Sequence, residues 1–121
     1  MSTISPAWQV DALRNVGELS ELPHNWDGYG SPPPSEGACE AAARLISLME
    51  SFPLAAPEIG PASGGTLQME WACNRRELEL HVLADQSVEY LRVVNGEPIE
   101  QGTVGISAPD VARHVTWLLF G

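Results

Sequence analysis

Between residues 66 and 101 the chain abandons a repeat of three to four residues for a repeat of two. That switch confines it to helices joined to an antiparallel sheet. Residues 66–72 alternate cleanly, with Leu67, Met69 and Trp71 on one side, and residues 77–82 place Leu78, Leu80 and Val82 in the same way. Asn74-Arg75-Arg76 supplies the turn between them. Asp85-Gln86 turns the chain into a third strand over 87–94. Asn95-Gly96, both of which tolerate positive φ, predicts a tight hairpin into a short fourth strand over 97–101. Pro98 has no N–H to give to a ladder, so this strand belongs at an edge. Alternation of this kind means one buried face and one wet face.

Helical spacing flanks the meander. The spacing predicts a first helix over 5–16, with Ser5 as cap, Pro6 in the first turn and Gly17 as the stop. Its apolar face is Trp8, Ala12, Leu13 and Val16, and Gln9, Asp11, Arg14 and Asn15 are polar. A second helix, 35–51, is capped by Ser35 and carries Ala38, Ala41, Ala42, Leu45, Leu48, Met49 and Phe52 at helical intervals. Small alanines in its first half imply close approach by another segment. A last helix, 107–120, begins at Ser107-Ala108-Pro109-Asp110, which reads as a capping box with Asp110 as the reciprocal acid. Val111, Val115, Leu118 and Leu119 form its apolar stripe, and Trp117 and Phe120 enlarge it.

The expected fold is therefore α+β: helices on one face of a three- to four-stranded antiparallel sheet, in the order α-α-β-β-β-β-α. It forms one domain across 1–121, with a helical and aromatic-loop part (1–52), a Pro- and Gly-rich linker (53–65), the meander and the last helix. The length suits a single domain with a core of its own. The expected core is Leu45, Met49, Leu67, Met69, Trp71, Leu78, Leu80, Val82, Val88, Val115 and Leu118.

Between the first two helices lies His24-Asn25-Trp26-Asp27-Gly28-Tyr29-Gly30-Ser31-Pro32-Pro33-Pro34. Asp27 is suited to bond the backbone two residues on, Gly28 and Gly30 accept positive φ, and the prolines fix an extended exit. An ordered loop with its aromatics folded onto the core is the expectation. The Asn-Trp-Asp-Gly-Tyr-Gly-x-Pro core, the helix after it, Gly-Gly-Thr-Leu-Gln-Met-Glu-Trp at 64–71, and Leu-Glu-Leu and Val-Glu-Tyr-Leu further on resemble a family of small bacterial and phage-associated proteins. The resemblance spans about residues 20–95. It implies a fold grouping and assigns no mechanism or site residues.

Charge narrows function further. Sixteen acids stand against six arginines and no lysine, a net charge of −10. Without lysine there is no Walker-type phosphate loop, no pyridoxal Schiff base and no lysine nucleophile. Direct nucleic-acid binding and an anionic membrane surface are disfavoured, because both demand basic patches. Basic protein surfaces are favoured. No apolar run reaches the roughly 18 residues of a membrane span, and the first residues show no basic or apolar leader, so a cytoplasmic location is expected. Cys39 and Cys73 are expected as free thiols.

No nucleophile elbow, zinc-protease motif or phosphate-binding glycine fingerprint is present. His24, His81 and His114 come from separate segments without ligand spacing, so neither metal nor cofactor is expected. His81 reads as a surface residue and His114 as lying near the polar face of the last helix. Glu70, Glu77, Glu79 and Glu89 are expected on the wet sheet face. They are candidates to bind a partner, since carboxylates about 7 Å apart along a strand and about 5 Å apart across strands imitate a phosphate ladder. Trp26, Asp27 and Tyr29 are the loop candidates, able to stack on a small ligand or anchor a partner. The resulting expectation is a non-enzymatic, protein-binding inhibitor or antitoxin-like factor of a bacterial mobile element. Anti-CRISPR and other anti-defence proteins share this size and charge. Two alternatives stay open: a ligand-binding or catalytic aromatic loop, and a structural homodimer joined through the C-terminal helix.

Overall fold

A computed structural model describes residues 7–50 and 52–121. The expected cap Ser5, the first-turn Pro6 and Ser51 lie outside them. Helix α1 spans Ala7–Ser20 and α2 spans Glu36–Leu48. Five strands follow: β1 Glu58–Ala62, β2 Thr66–Cys73, β3 Arg76–Val82, β4 Val88–Val94 and β5 Glu97–Val104. Helix α3, Ala108–Phe120, closes the chain. The α+β class is as the sequence indicates, with one strand more than expected.

The sheet is a plain antiparallel meander in the order β1-β2-β3-β4-β5. Local turn chemistry sets its register. Cys73 pairs with Arg76 around Asn74-Arg75, and Val94 pairs with Glu97 around Asn95-Gly96. Asn95 and Gly96 have φ of 53° and 80°, the left-handed pair that a tight hairpin needs. The additional strand, β1, falls in the expected linker and pairs with β2 from Glu58↔Glu70 to Ala62↔Thr66. Its five residues include Gly60 and Pro61, which hide the alternation that marks its neighbours. Each edge strand carries a proline, Pro61 in β1 and Pro98 in β5, and such prolines discourage edge-to-edge pairing.

The helices cover one face only. All eleven expected core residues are buried, joined by Trp8, Ala12, Val16, Ile46 and Val111. Ala38, Ala41 and Ala42 are fully buried, and α1 is the element packed most extensively on α2. Ser35 caps α2 by accepting from the Ala38 N–H at 3.0 Å. The same residue donates from Oγ to the Ala84 carbonyl and from its N–H to the Gly65 carbonyl, tying the helix start to two turns of the sheet.

Three local expectations are corrected. Helix α1 does not stop at Gly17 but runs on to Ser20, because a further turn brings Leu19 into the buried stripe. On the same helix Gln9 is buried, its Nε2 donating to the Ile46 carbonyl at 3.1 Å, while Leu13 is exposed. At α3, Ser107 caps as expected, but the Asp110 carboxylate accepts from the Gly105 N–H at 2.9 Å and so pins the incoming loop.

Candidate functional site

The helix-free face of the sheet is the first candidate. Strand pairing aligns Glu58, Glu70 and Glu79 in one row across β1, β2 and β3, continued by Leu91 and Gln101. A second row runs Gly60, Gln68, His81, Glu89, Thr103. Glu77 stands two residues from Glu79 on the same face of β3. The structure thus brings Glu70, Glu77, Glu79 and Glu89 onto one surface and adds Glu58, whose strand was read as linker.

Electrostatics show how closely these groups stand. Glu70 is held above the ordinary carboxylate range, first by a hydrogen bond shared with the Glu77 side chain, then by partial burial and the charges of Glu79, Glu77 and Glu58. The arginines of the strands turn the other way. Arg76 donates from Nε to the Leu118 carbonyl at the end of α3, and Arg92 points at His114 beneath the sheet. Basic charge is withdrawn to the helix side while carboxylates collect on the open side.

On the open face, His81 is half-buried and fixed. The Thr66 hydroxyl donates to the Ser63 carbonyl at 3.0 Å and stands 2.9 Å from His81 Nε2. A hydroxyl has one proton, so Nε2 is the donor in that contact and neutral His81 leaves Nδ1 as an acceptor. Nδ1 lies 3.7 Å from Glu89 Oε1. A depression of about 440 Å³ opens beside this pair, between Gln68, Glu79, Leu91, Gln101 and Thr103.

A polar cluster that the sequence reading missed sits under β4 and β5. His114 is 2% exposed rather than on a polar helix face. Its ring packs against Tyr90 at a tilt of 48° with centroids 4.2 Å apart, and its Nδ1 accepts from Arg92 at 3.0 Å and 3.3 Å. Arg92 lies over Trp117 at 4.9 Å and reaches Glu100 at 3.6 Å, and Tyr90 donates to Glu100 at 2.6 Å. Burial first, then the Arg92 charge, drives the His114 pKa down to about 4, so the ring is neutral at physiological pH. Glu100 is held below its ordinary range chiefly by the Tyr90 hydrogen bond, and the same bond pushes Tyr90 up. Period-two alternation was the available signal: Val88, Tyr90 and Arg92 share one side of β4.

The aromatic loop has the expected turn chemistry, with Gly28 and Gly30 at positive φ, but not the expected burial of its aromatics. Asp27 accepts from the Tyr29 and Ser31 N–H groups at 2.9 Å and 3.2 Å and from the Ser31 hydroxyl at 2.6 Å, which keeps its carboxyl below the usual range. Trp26 donates from Nε1 to the Pro32 carbonyl at 2.8 Å and is half-buried. Tyr29 is not folded onto the core but is 92% exposed. The loop closes on itself because its own side chains satisfy its backbone.

At the far end of α3, Leu118 is buried, Trp117 is half-buried and Phe120 is 75% exposed. Among the described residues no three His, Cys, Asp or Glu side chains gather as metal ligands would, and no helix is long and apolar enough to cross a membrane. No family model matches the chain, and no curated protein or solved structure matches it either.

Proposed function

We propose that the protein is a non-enzymatic binding module that lays its open sheet face on a basic surface of another protein. The observation that carries this reading is the segregation of charge across one sheet: Glu58, Glu70, Glu77, Glu79 and Glu89 on the open face, Arg76 and Arg92 on the helix side. A solvated face needs charge of either sign to stay soluble, and interspersed signs serve that purpose best. A single-sign face whose carboxylates crowd until one has its pKa raised by its neighbours costs stability. A complementary cation offsets that cost.

A surface able to accept a row of carboxylates is one built for phosphates. The protein would act as an inhibitor, competing for a nucleic-acid-binding surface as an anti-defence or antitoxin-like factor does. Association would be fast and sensitive to salt. Capture from the source cell at low and high salt tests the reading, with wild type beside a variant carrying Glu58→Lys, Glu70→Lys and Glu77→Lys. A basic protein captured at low salt, released at high salt and lost with the variant is the expected result. A partner bound equally by both proteins would refute it.

Tyr29 supports a second, compatible contact. A loop that spends three hydrogen bonds on Asp27 while leaving its tyrosine 92% exposed presents an aromatic side chain from a tied backbone.

A further inference from the structure

Leu91 is out of place on the open face. It ends the carboxylate row, between Glu79 on β3 and Gln101 on β5, and forms part of the depression beside His81 and Glu89. An aliphatic side chain ringed by acceptors is a poor site for water and a poor site for an anion. It suits a cation that brings an apolar stem or a flat, weakly hydrated face.

The His81–Glu89 contact points the same way. With Nε2 committed as donor to Thr66, His81 Nδ1 stands 3.7 Å from Glu89 Oε1, too far for a hydrogen bond between the two. That gap is too narrow to hold a heavy atom, but a single N–H donor approaching from the depression can be shared by the carboxylate and the neutral ring. The carboxylate of Glu79 is a diagonal neighbour of Glu89, with Cβ atoms about 7 Å apart. Gln68 and Gln101 add carboxamide oxygens at the rim.

We infer that this depression takes the guanidinium of one arginine from the partner protein; the inference builds on the docking reading above. Planar and carrying five N–H donors in a fixed fork, the group spans Glu79 and the His81–Glu89 pair together, with its face on Leu91. An ammonium is a compact, strongly hydrated point charge and serves only one of those positions well. The long carboxylate row then provides steering, and this depression provides the choice of arginine over lysine.

The test needs no partner. The full-length, isotopically labelled chain is titrated with N-acetylarginine amide, and separately with N-acetyllysine amide, while backbone amide resonances are followed. Shifts should concentrate at 81, 89–91 and 101–103, with the arginine probe binding several-fold more tightly than the lysine probe. Glu89→Gln should weaken the arginine probe by about tenfold, the loss of one charge-assisted hydrogen bond, and Leu91→Ser should weaken it several-fold. Equal responses to the two probes, shifts spread along Glu58, Glu70 and Glu77, or an unaffected Glu89→Gln would overturn the pocket. The variant reversed at Glu58, Glu70 and Glu77 separates the two claims. If it loses the captured protein while arginine fails to bind the wild type, the pocket falls and the docking reading stands. If arginine binds as described but capture ignores the reversal, the pocket stands and the docking reading falls.

Discussion

His114 is a buried imidazole whose outward partner is a cation, and that arrangement has a sign. Its ordinary value of 6.5 falls to about 4 in the fold. Between those values the unfolded chain binds a proton that the native chain refuses, so stability falls as pH falls through the window, and the loss is complete below about 4. The groups facing the ring are Arg92 and Tyr90 from β4, Glu100 from β5, and Asp110 and Arg113 from α3 itself. Asp27 and Glu100, both held below their ordinary values of 3.8 and 4.5, begin to lose their contribution as pH falls through those values, so the Glu100 loss starts at the acid end of the His114 window. Urea midpoints from pH 7 to pH 4.5 should therefore decline in the wild type and decline less in His114→Gln, which keeps an acceptor toward Arg92 but does not titrate. Glu70 acts in the opposite sense. Its raised pKa means the native state binds the extra proton, so its repulsion is present at neutral pH and relieved on acidification. Glu70→Gln should stabilise the fold at pH 7 by about 0.5 kcal/mol, the scale of a like-charge cross-strand pair, and the gain should shrink in the same denaturation series near pH 4.

At the level of elements, the strands with clean alternation and strong turn dipeptides were legible before any coordinates. Asn95-Gly96 and the runs from Leu67 to Trp71 and Leu78 to Val82 leave little choice of register, and six of the eleven expected core positions lie in those runs, the helical spacing supplying Leu45, Met49, Val115 and Leu118. Strand β1 was not legible, because it is short and includes Gly60 and Pro61. Tyr29 was misplaced because aromatic bulk implies burial only where the backbone lacks partners, and here Asp27 and Asn25 supply them locally. The candidate face was partly legible: Glu70, Glu77, Glu79 and Glu89 follow from alternation, whereas Glu58 needed β1 and the depression needed the pairing of β3 to β5. Helix α1 shows composition overruled by burial, since Leu19 in the stripe offsets a glycine in the helix interior. Gly17 has helical backbone and nothing within 4 Å of a built Cβ. Gly17→Ala should therefore stabilise the protein by about 0.5–1 kcal/mol, read as a higher thermal midpoint. Gly102 differs: a Cβ there meets the Tyr90 ring at 3.1 Å. Gly102→Ala should displace Tyr90 from Glu100 and His114 and lower the thermal midpoint.

For the whole molecule, the question is whether the net charge of −10 acts as a total or as a pattern. A total charge repels nucleic acid and slows self-association wherever the acids sit. A pattern creates a field with a direction, and the open sheet face gathers Glu58, Glu70, Glu77, Glu79 and Glu89 while Arg76 and Arg92 turn to the helix side. The helix side carries acids too: Glu18, Glu21 and Glu40 are exposed there. Reversing those three to lysine changes net charge by as much as reversing Glu58, Glu70 and Glu77 does. Beyond about 10 Å, charges are screened at 0.1 M salt, so at physiological ionic strength a basic partner docked on the sheet feels chiefly the face it touches. The helix-side variant should keep its association rate within about threefold of wild type, whereas the sheet-face variant should lose about tenfold or more, with the gap closing as salt is raised. Stopped-flow or surface-based kinetics across a salt series distinguish these outcomes. Equal losses in the two variants would mean that the charge works only as a sum, and the open face would then have no claim to be a docking surface.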